Sequence, residues 1–296
     1  MNARDWLAIF VLAFLFGSSF FFTEIATPEL GPITIAASRL VIGGAVLVIW
    51  LSLRPSAAKM PTLSQVAMLG FFNSVVPITL IAWAQLDLAS GIASILAATS
   101  PIFGAIFAHL FATGERLTRL RVLGTLLAFA GVILIVDPAA LTRLDGVLAP
   151  LAVLAAAMSS AAAGVFGKRV LGDVSPPAAA TGQVVAAALM AVTLSAVFEQ
   201  PWKRPFPGTA AVTAVVAMGI LSTALAYRLF FHLLGRAGAA NTLLVGFLVP
   251  VFATVLGVVL LGERLSLLEV VGLIGVLFSL FIIDKARYRG PVHCTR

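Results

Sequence analysis

Apolar residues run along this chain in long blocks separated by short polar or Pro/Gly-rich joints, and the rhythm persists from Trp6 to Ile283. A membrane-spanning helix needs about 20 mainly apolar residues. The joints therefore predict ten spans, over residues 5 to 25, 33 to 53, 63 to 86, 90 to 113, 118 to 137, 146 to 167, 177 to 198, 209 to 234, 238 to 261 and 266 to 284. Backbone N–H and C=O groups cannot stay unpaired in hydrocarbon, so segments this long must be helices or closed barrel strands. Barrel strands alternate apolar and polar residues, and Leu120 to Val136 does not alternate. The expected fold class is an all-α integral membrane protein.

The first block follows Arg4, as in a signal peptide, but it continues to about Ala26 and meets Thr27 and Pro28 rather than a small-x-small cleavage site. It is expected to be the first span. Composition supports the same class: 61% of the 296 residues are hydrophobic, 10% are charged and mean hydropathy is +1.11, far from the quarter-charged mix of soluble domains. The one cysteine, Cys294, lies in the polar tail, which removes disulfide and thiolate-metal readings.

The net charge of +7 acquires meaning only when its residues are placed. With the N-terminus in the cytoplasm, thirteen basic residues fall on the inner side, among them Arg54, Arg116, Lys168 and Arg236, against Arg143, Lys203, Arg204 and Arg264 outside. Arg39 and Arg228 lie within spans. The excess is thus a topology signal, with both termini cytoplasmic in a bacterial-type inner membrane, and nucleic acid is not an expected partner.

A repeat organises the spans. Pro101, Gly114-Glu115-Arg116-Leu117, Gly124 and Asp137 return as Pro250, Gly262-Glu263-Arg264-Leu265, Gly272 and Asp284, an offset near half the chain. Five spans per copy is an odd number, so the second copy enters the membrane from the opposite side, the inverted-repeat plan of many carriers. The expected units are residues 1–142, residues 143–285 and a cytoplasmic tail at 286–296.

These blocks, with Phe16-Gly17-Ser18-Ser19-Phe20 in the first span and Ser38-Arg39-Leu40 in the second, resemble the drug/metabolite transporter superfamily, in particular its EamA-type ten-helix members. The nearest likeness is to exporters of amino acids, including the YddG-type aromatic amino acid exporters. The resemblance implies a small-molecule substrate, a passage lined by eight helices, and peripheral fifth and tenth helices.

The candidate cavity residues follow from polarity at depth. Pro101 and Pro250, at equivalent repeat positions, are candidate hinges. Gly17 and Ser18 in the first span and Ser160 in the sixth make small polar patches that suit a cavity or a close helix contact. Arg39 lies about two turns inside the second span and either binds a substrate carboxylate or pairs with Glu24; Gln183 is its repeat counterpart. Asn73, Thr79 and Ser100 sit near mid-helix, and Trp83 and Tyr227 are either interface aromatics or stacking groups.

No aspartate or glutamate falls at the middle of a span, so the expectation is a carrier without an obligatory buried carboxylate switch. The histidines His109, His232 and His293 lack ligand spacing and no phosphate loop occurs, so neither an enzyme, a metal nor a cofactor is expected. The reading is alternating-access export of small metabolites, most of all aromatic or other apolar amino acids, by a monomer or weak homo-oligomer among membrane lipid. A drug or quaternary amine, nucleobase or sugar carrier of the same superfamily is the alternative.

Overall fold

A computed structural model describes residues 3–53, 61–111, 119–135, 144–172, 174–242 and 244–287. Among them the regular structure is entirely helical, with no strand. Helices α1 (Ala3–Ala26) and α2 (Pro32–Ser52) are followed by α3 (Leu63–Ala84) and by α4, made of two pieces, Ser90–Ala97 and Ser100–Phe111. Next come α5 (Arg119–Ile135), α6 (Leu144–Leu171) and α7 (Pro176–Glu199). The chain then forms α8, from Thr209 to Thr242, α9, from Val245 to Leu261, and α10 (Leu267–Arg287). Seven helices among the described residues are long and apolar enough to cross a membrane, and Leu248–Leu261 and Leu267–Ser279 are shorter apolar stretches.

The helices face one another with small residues and a lipid-side stripe of large ones. On α2, Ala36, Ala37, Leu40, Gly43, Gly44 and Leu47 are buried at helical spacing, while Val41, Val48 and Ile49 are exposed. The opposing face of α7 is Val184, Ala187, Ala188 and Ala191. Lipid is as apolar as leucine, so burial in a membrane gains little from hydrophobicity alone; close backbone approach gains dispersion, and alanine and glycine permit it. Helices α5 and α10 pack chiefly against each other. A Cβ at Gly131 would stand 2.8 Å from the Gly272 carbonyl oxygen, so this crossing depends on the missing side chain.

Three sequence expectations shift here. The fourth span is broken: Ala98 and Thr99 form a turn and a new piece begins at Ser100, because Pro101 has no N–H to continue the ladder. Pro250, its repeat partner, instead lies buried inside an uninterrupted helix. The eighth span outruns its expected stop near residue 234, continuing to Thr242. The alanines at 237, 239 and 240 have high helix propensity, and Arg236 Nε, in this extension, bonds Asp5 Oδ1 of α1 at 3.0 Å. The first-copy motif Gly114 to Leu117, Asp137 and the tail from residue 288 lie outside the described residues.

Several helices also carry wide π turns, at Phe71–Val75 in α3, Ser195–Glu199 in α7, Met218–Leu225 in α8 and Gly257–Leu261 in α9. Such turns leave carbonyls short of regular partners and are frequent at functional positions. In α8 the Thr223 hydroxyl donates to the Met218 carbonyl at 3.1 Å, five residues back, and so satisfies one of them.

Candidate functional site

The wide turn of α8 faces Arg39 of α2, a half-buried arginine within the helix bundle. Arg39 Nη1 donates to Ser19 Oγ of α1 at 2.6 Å, Nε to Thr223 Oγ1 of α8 at 2.9 Å, and Nη2 to the Ser222 carbonyl at 3.4 Å. Every partner is a neutral oxygen, and Glu24 is not among them. The Glu24 carboxylate instead accepts from Gln85 Nε2 at 3.2 Å, while the same nitrogen donates to the Phe20 carbonyl at 2.9 Å. The lock between Arg39 and Glu24, one of the two readings of the sequence, is therefore not formed.

Around the guanidinium is a cavity of about 160 Å3 lined by Phe16, Ser19, Phe20 and Thr23 of α1, by Arg39, and by Ile78 and Ile81 of α3. Thr23 closes the polar edge, its hydroxyl donating to the Ser19 carbonyl at 2.8 Å. Guanidinium carries five N–H donors in a rigid fork. Three are engaged as described, one on each nitrogen, which leaves one N–H on each terminal nitrogen. N–H donors on the two terminal nitrogens of a planar cation suit the oxygens of a carboxylate.

A second polar group adjoins the first. Gln183 Nε2 of α7 donates to the Tyr227 hydroxyl of α8 at 3.3 Å, and the Arg39 charge lies within electrostatic reach of that hydroxyl. The structure thus brings together Arg39, Gln183 and Tyr227 from separate stretches of sequence, with Ser18 close by through Ser222 Oγ at 3.4 Å. Thr79 has a buried hydroxyl without a partner, and Asn73 is half-buried within the π turn of α3.

Other expected residues take different places. Gly17 is a contact point: a Cβ there would stand 2.9 Å from the Phe252 Cβ and the Val249 carbonyl of α9. Trp83 is 38% exposed on the outer face of α3. Ser100 and the exposed Pro101 open the second piece of α4, just after the break. Ser160 is half-buried, and its neighbour Ser159 donates to the Phe72 carbonyl at 2.6 Å, serving the π turn of α3. Ser222 and Thr223 were not singled out from sequence, although they form an adjacent hydroxyl pair in the middle of the eighth apolar block. The aromatic and aliphatic walls, Phe16, Phe20, Ile78 and Ile81, carry no sequence signal that separates them from lipid-facing neighbours.

One end of the bundle is tied by carboxylates that cap helices to which they do not belong. Glu199, at the end of α7, accepts from Ile33 N at 2.9 Å, Thr34 N at 2.7 Å and Thr34 Oγ1 at 2.6 Å at the start of α2. Glu263, after α9, accepts from Ser90 N at 2.7 Å and Gly91 N at 3.2 Å at the start of α4. Glu29 accepts from Gly208 N at 2.5 Å before α8. The first turn of a helix presents unpaired N–H groups and the positive end of its dipole, so each carboxylate joins two helices. Glu263 is aimed by Gly262, whose φ of 71° reverses the chain after a π turn. The second copy of the Gly-Glu-Arg-Leu motif is therefore a turn glycine followed by an interhelical cap.

Comparison with known proteins gives the context. A model of the EamA-like transporter family matches twice, over residues 5–137 and 147–283. An uncharacterized transporter of Archaeoglobus fulgidus is 25% identical over 284 residues, 96% of this chain and 100% of that protein. The uncharacterized inner membrane transporter YedA of Escherichia coli K12 is 25% identical over 288 residues, 96% of this chain and 92% of the relative. A WAT1-related chloroplastic protein of Arabidopsis thaliana is also 25% identical, over 95% of this chain and 69% of its own length. A solved crystal structure at 22% identity superposes with a TM-score of 0.68, covering 98% of this chain and 99% of the other. A family model matched over both halves, two relatives named as transporters and matched over nearly their whole length, and apolar helices long enough to span a membrane lead to one conclusion: this chain belongs to the EamA-like transporter family and is a multi-pass membrane transporter.

Proposed function

We propose that the chain is a secondary transporter exporting small carboxylates, above all aromatic and other apolar amino acids, by alternating access. The observation that carries this reading is Arg39, a cation held by neutral oxygens with two unengaged donors, beside a cavity walled by Phe16, Phe20, Ile78 and Ile81. Removing a charge from water costs several kcal/mol unless a partner compensates it. A ligand carboxylate supplies that partner, and an apolar side chain fills the remaining space. The lining contains no acid and includes the Arg39 cation, whose like charge repels a quaternary amine and so disfavours the drug alternative despite the phenyl faces.

The accompanying architecture is two inverted five-span units, at residues 1–142 and 143–285, acting as a monomer or weak homo-oligomer with both termini cytoplasmic in the inner membrane. Its supports are the doubled family match, the loop charge asymmetry and a recurring packing device. A Cβ at Gly70 of α3 would stand 2.6 Å from the Gln183 carbonyl of α7, and one at Gly219 of α8 would stand 3.2 Å from the Arg39 carbonyl of α2. The two candidate polar residues thus sit at matching helix crossings.

The test is counterflow in proteoliposomes with labelled phenylalanine, leucine and a quaternary amine. Saturable amino-acid exchange by the native chain, reduced at least about 100-fold in Arg39→Ala by loss of two charge-assisted bonds, is the expected result. Exchange of the amine with no amino-acid exchange would overturn the reading.

A further inference from the structure

On the outer face of the bundle, away from Arg39's cavity, lies a larger groove of about 390 Å3 between α2 and α7. Its walls include Val41, Ile42, Val192 and Ala196, and its upper end is closed by Trp202. Val41 is 46% exposed and Val192 is 45% exposed, so the groove opens sideways from the helix bundle rather than into a passage. Along α2 its lining runs from Thr34 to Ile42, a rise of about 12 Å. Half of a hydrocarbon core about 30 Å thick is about 15 Å, so the groove has close to the depth of one leaflet.

The chain that closes it is built for an interface. The short 3-10 turn Pro201–Lys203 carries Trp202, 68% exposed, and leads to Phe206, 90% exposed, while Phe198 at the end of α7 is 71% exposed. Aromatic rings gather at headgroup level because one part of the environment is apolar and the other wet. Between these rings stand Lys203 and Arg204, both exposed, with no ion-pair partner among the described residues. In the loop-charge count they are also two of the four basic residues on the sparsely charged side, where nothing in the topology requires them.

We propose that this groove is a binding site for an anionic phospholipid, one acyl chain lying between α2 and α7 and the phosphodiester held by Lys203 and Arg204. The depth matches a chain rather than a soluble metabolite, the sideways opening places it in the bilayer, and the two cations select a negative headgroup. The groove floor also contains Thr34 and Ser195, bonded to each other at 2.8 Å, and Thr34 is held by Glu199. Bound lipid would therefore press on the packing between α2 and α7, the two helices that carry Arg39 and Gln183.

The experiment uses the full chain purified in detergent, titrated with phosphatidylglycerol or phosphatidylcholine of matched acyl chains and read by native mass spectrometry. Each basic residue near a headgroup contributes about a five-fold preference, so phosphatidylglycerol is retained about 30-fold better than phosphatidylcholine. Lys203→Ala with Arg204→Ala brings the two lipids to parity, and Val192→Trp, which fills the groove, lowers retention of both. If Val192→Trp is not monodisperse, Val41→Phe at the same mouth is read in its place. Equal retention of the two lipids by the native chain, or an unchanged preference in the double variant, would overturn the proposal. So would full displacement by soluble glycerol phosphate, which marks an anion site without a chain groove.

Discussion

Removing the carboxylate of Glu263 should loosen the contact between α9 and the start of α4 by an amount the geometry fixes. Two backbone N–H groups, at Ser90 and Gly91, donate to its two oxygens at 2.7 and 3.2 Å. Bonds to a charged acceptor contribute roughly 1.5 to 3 kcal/mol each, and the longer one belongs at the low end. The helix dipole adds up to about 1 kcal/mol at a partly exposed terminus, while water reaching the freed N–H groups returns part of the sum. The expected loss in Glu263→Ala is about 3 kcal/mol, or roughly 6 to 12 °C in Tm on the scale of large domains. Glu263→Gln keeps one acceptor without the charge and should lose about half as much. Thermal unfolding of the detergent-purified protein, followed by tryptophan fluorescence, reads all three. Glu269→Ala is the control, since its carboxylate accepts only from Ser266 N, three residues away in its own helix start, and should shift Tm by less than about 4 °C. A Glu263→Ala protein melting within about 2 °C of the native one would refute the capping argument.

The other expectations are simpler. Arg39→Lys should keep a measurable part of the exchange that Arg39→Ala loses, but with weaker apparent substrate affinity, because ammonium offers a point charge and no fork; equal affinity in counterflow would contradict this. Gly17→Leu should destabilise by about 1 to 3 kcal/mol, since Phe252 and Val249 of α9 occupy the space, and a native melting curve would show that α1 and α9 are not in contact there. Trp83→Ala should leave exchange within about two-fold of native, because the ring lies on the exposed face of α3 and surface changes of this kind rarely exceed ±0.5 kcal/mol.

The helical class was legible because hydrocarbon imposes length and apolarity on every span, and those are properties of a stretch of residues. The arginine was legible for the same reason: Arg39 is a charge where the solvent forbids one. Its partners were not. Ser19, Ser222 and Thr223 hold Arg39 from two different helices, and no spacing rule along one helix predicts which face of α8 meets which face of α2. Gly17 and Trp83 kept two readings in the sequence for a related reason: a glycine at a helix crossing and a glycine beside a cavity read alike in one dimension, as do an aromatic on lipid and one on substrate. The sequence pattern of Pro101 and Pro250 was equal while the outcome was not. A missing N–H opens α4 but is absorbed inside α9, so proline permits the break and its surroundings decide whether it forms.

The same distinction explains why the second Gly-Glu-Arg-Leu copy, Gly262 to Leu265, is visible in the sequence although it does not line the cavity. Gly262 supplies a conformation that other residues adopt only at a cost of about 1 to 2 kcal/mol, and Glu263 supplies a charge that backbone N–H groups of a neighbouring helix require. Both demands are local in chemistry and fixed in spacing, so they leave a repeated signature. A substrate cavity makes no such demand. Its walls need only be apolar and the right distance apart, so Phe16, Phe20, Ile78 and Ile81 can differ between relatives that share every helix. In this fold the motif identifies how the helices are tied and the unmarked residues decide what passes between them, which is why substrate identity has to be sought at Arg39 and its apolar walls.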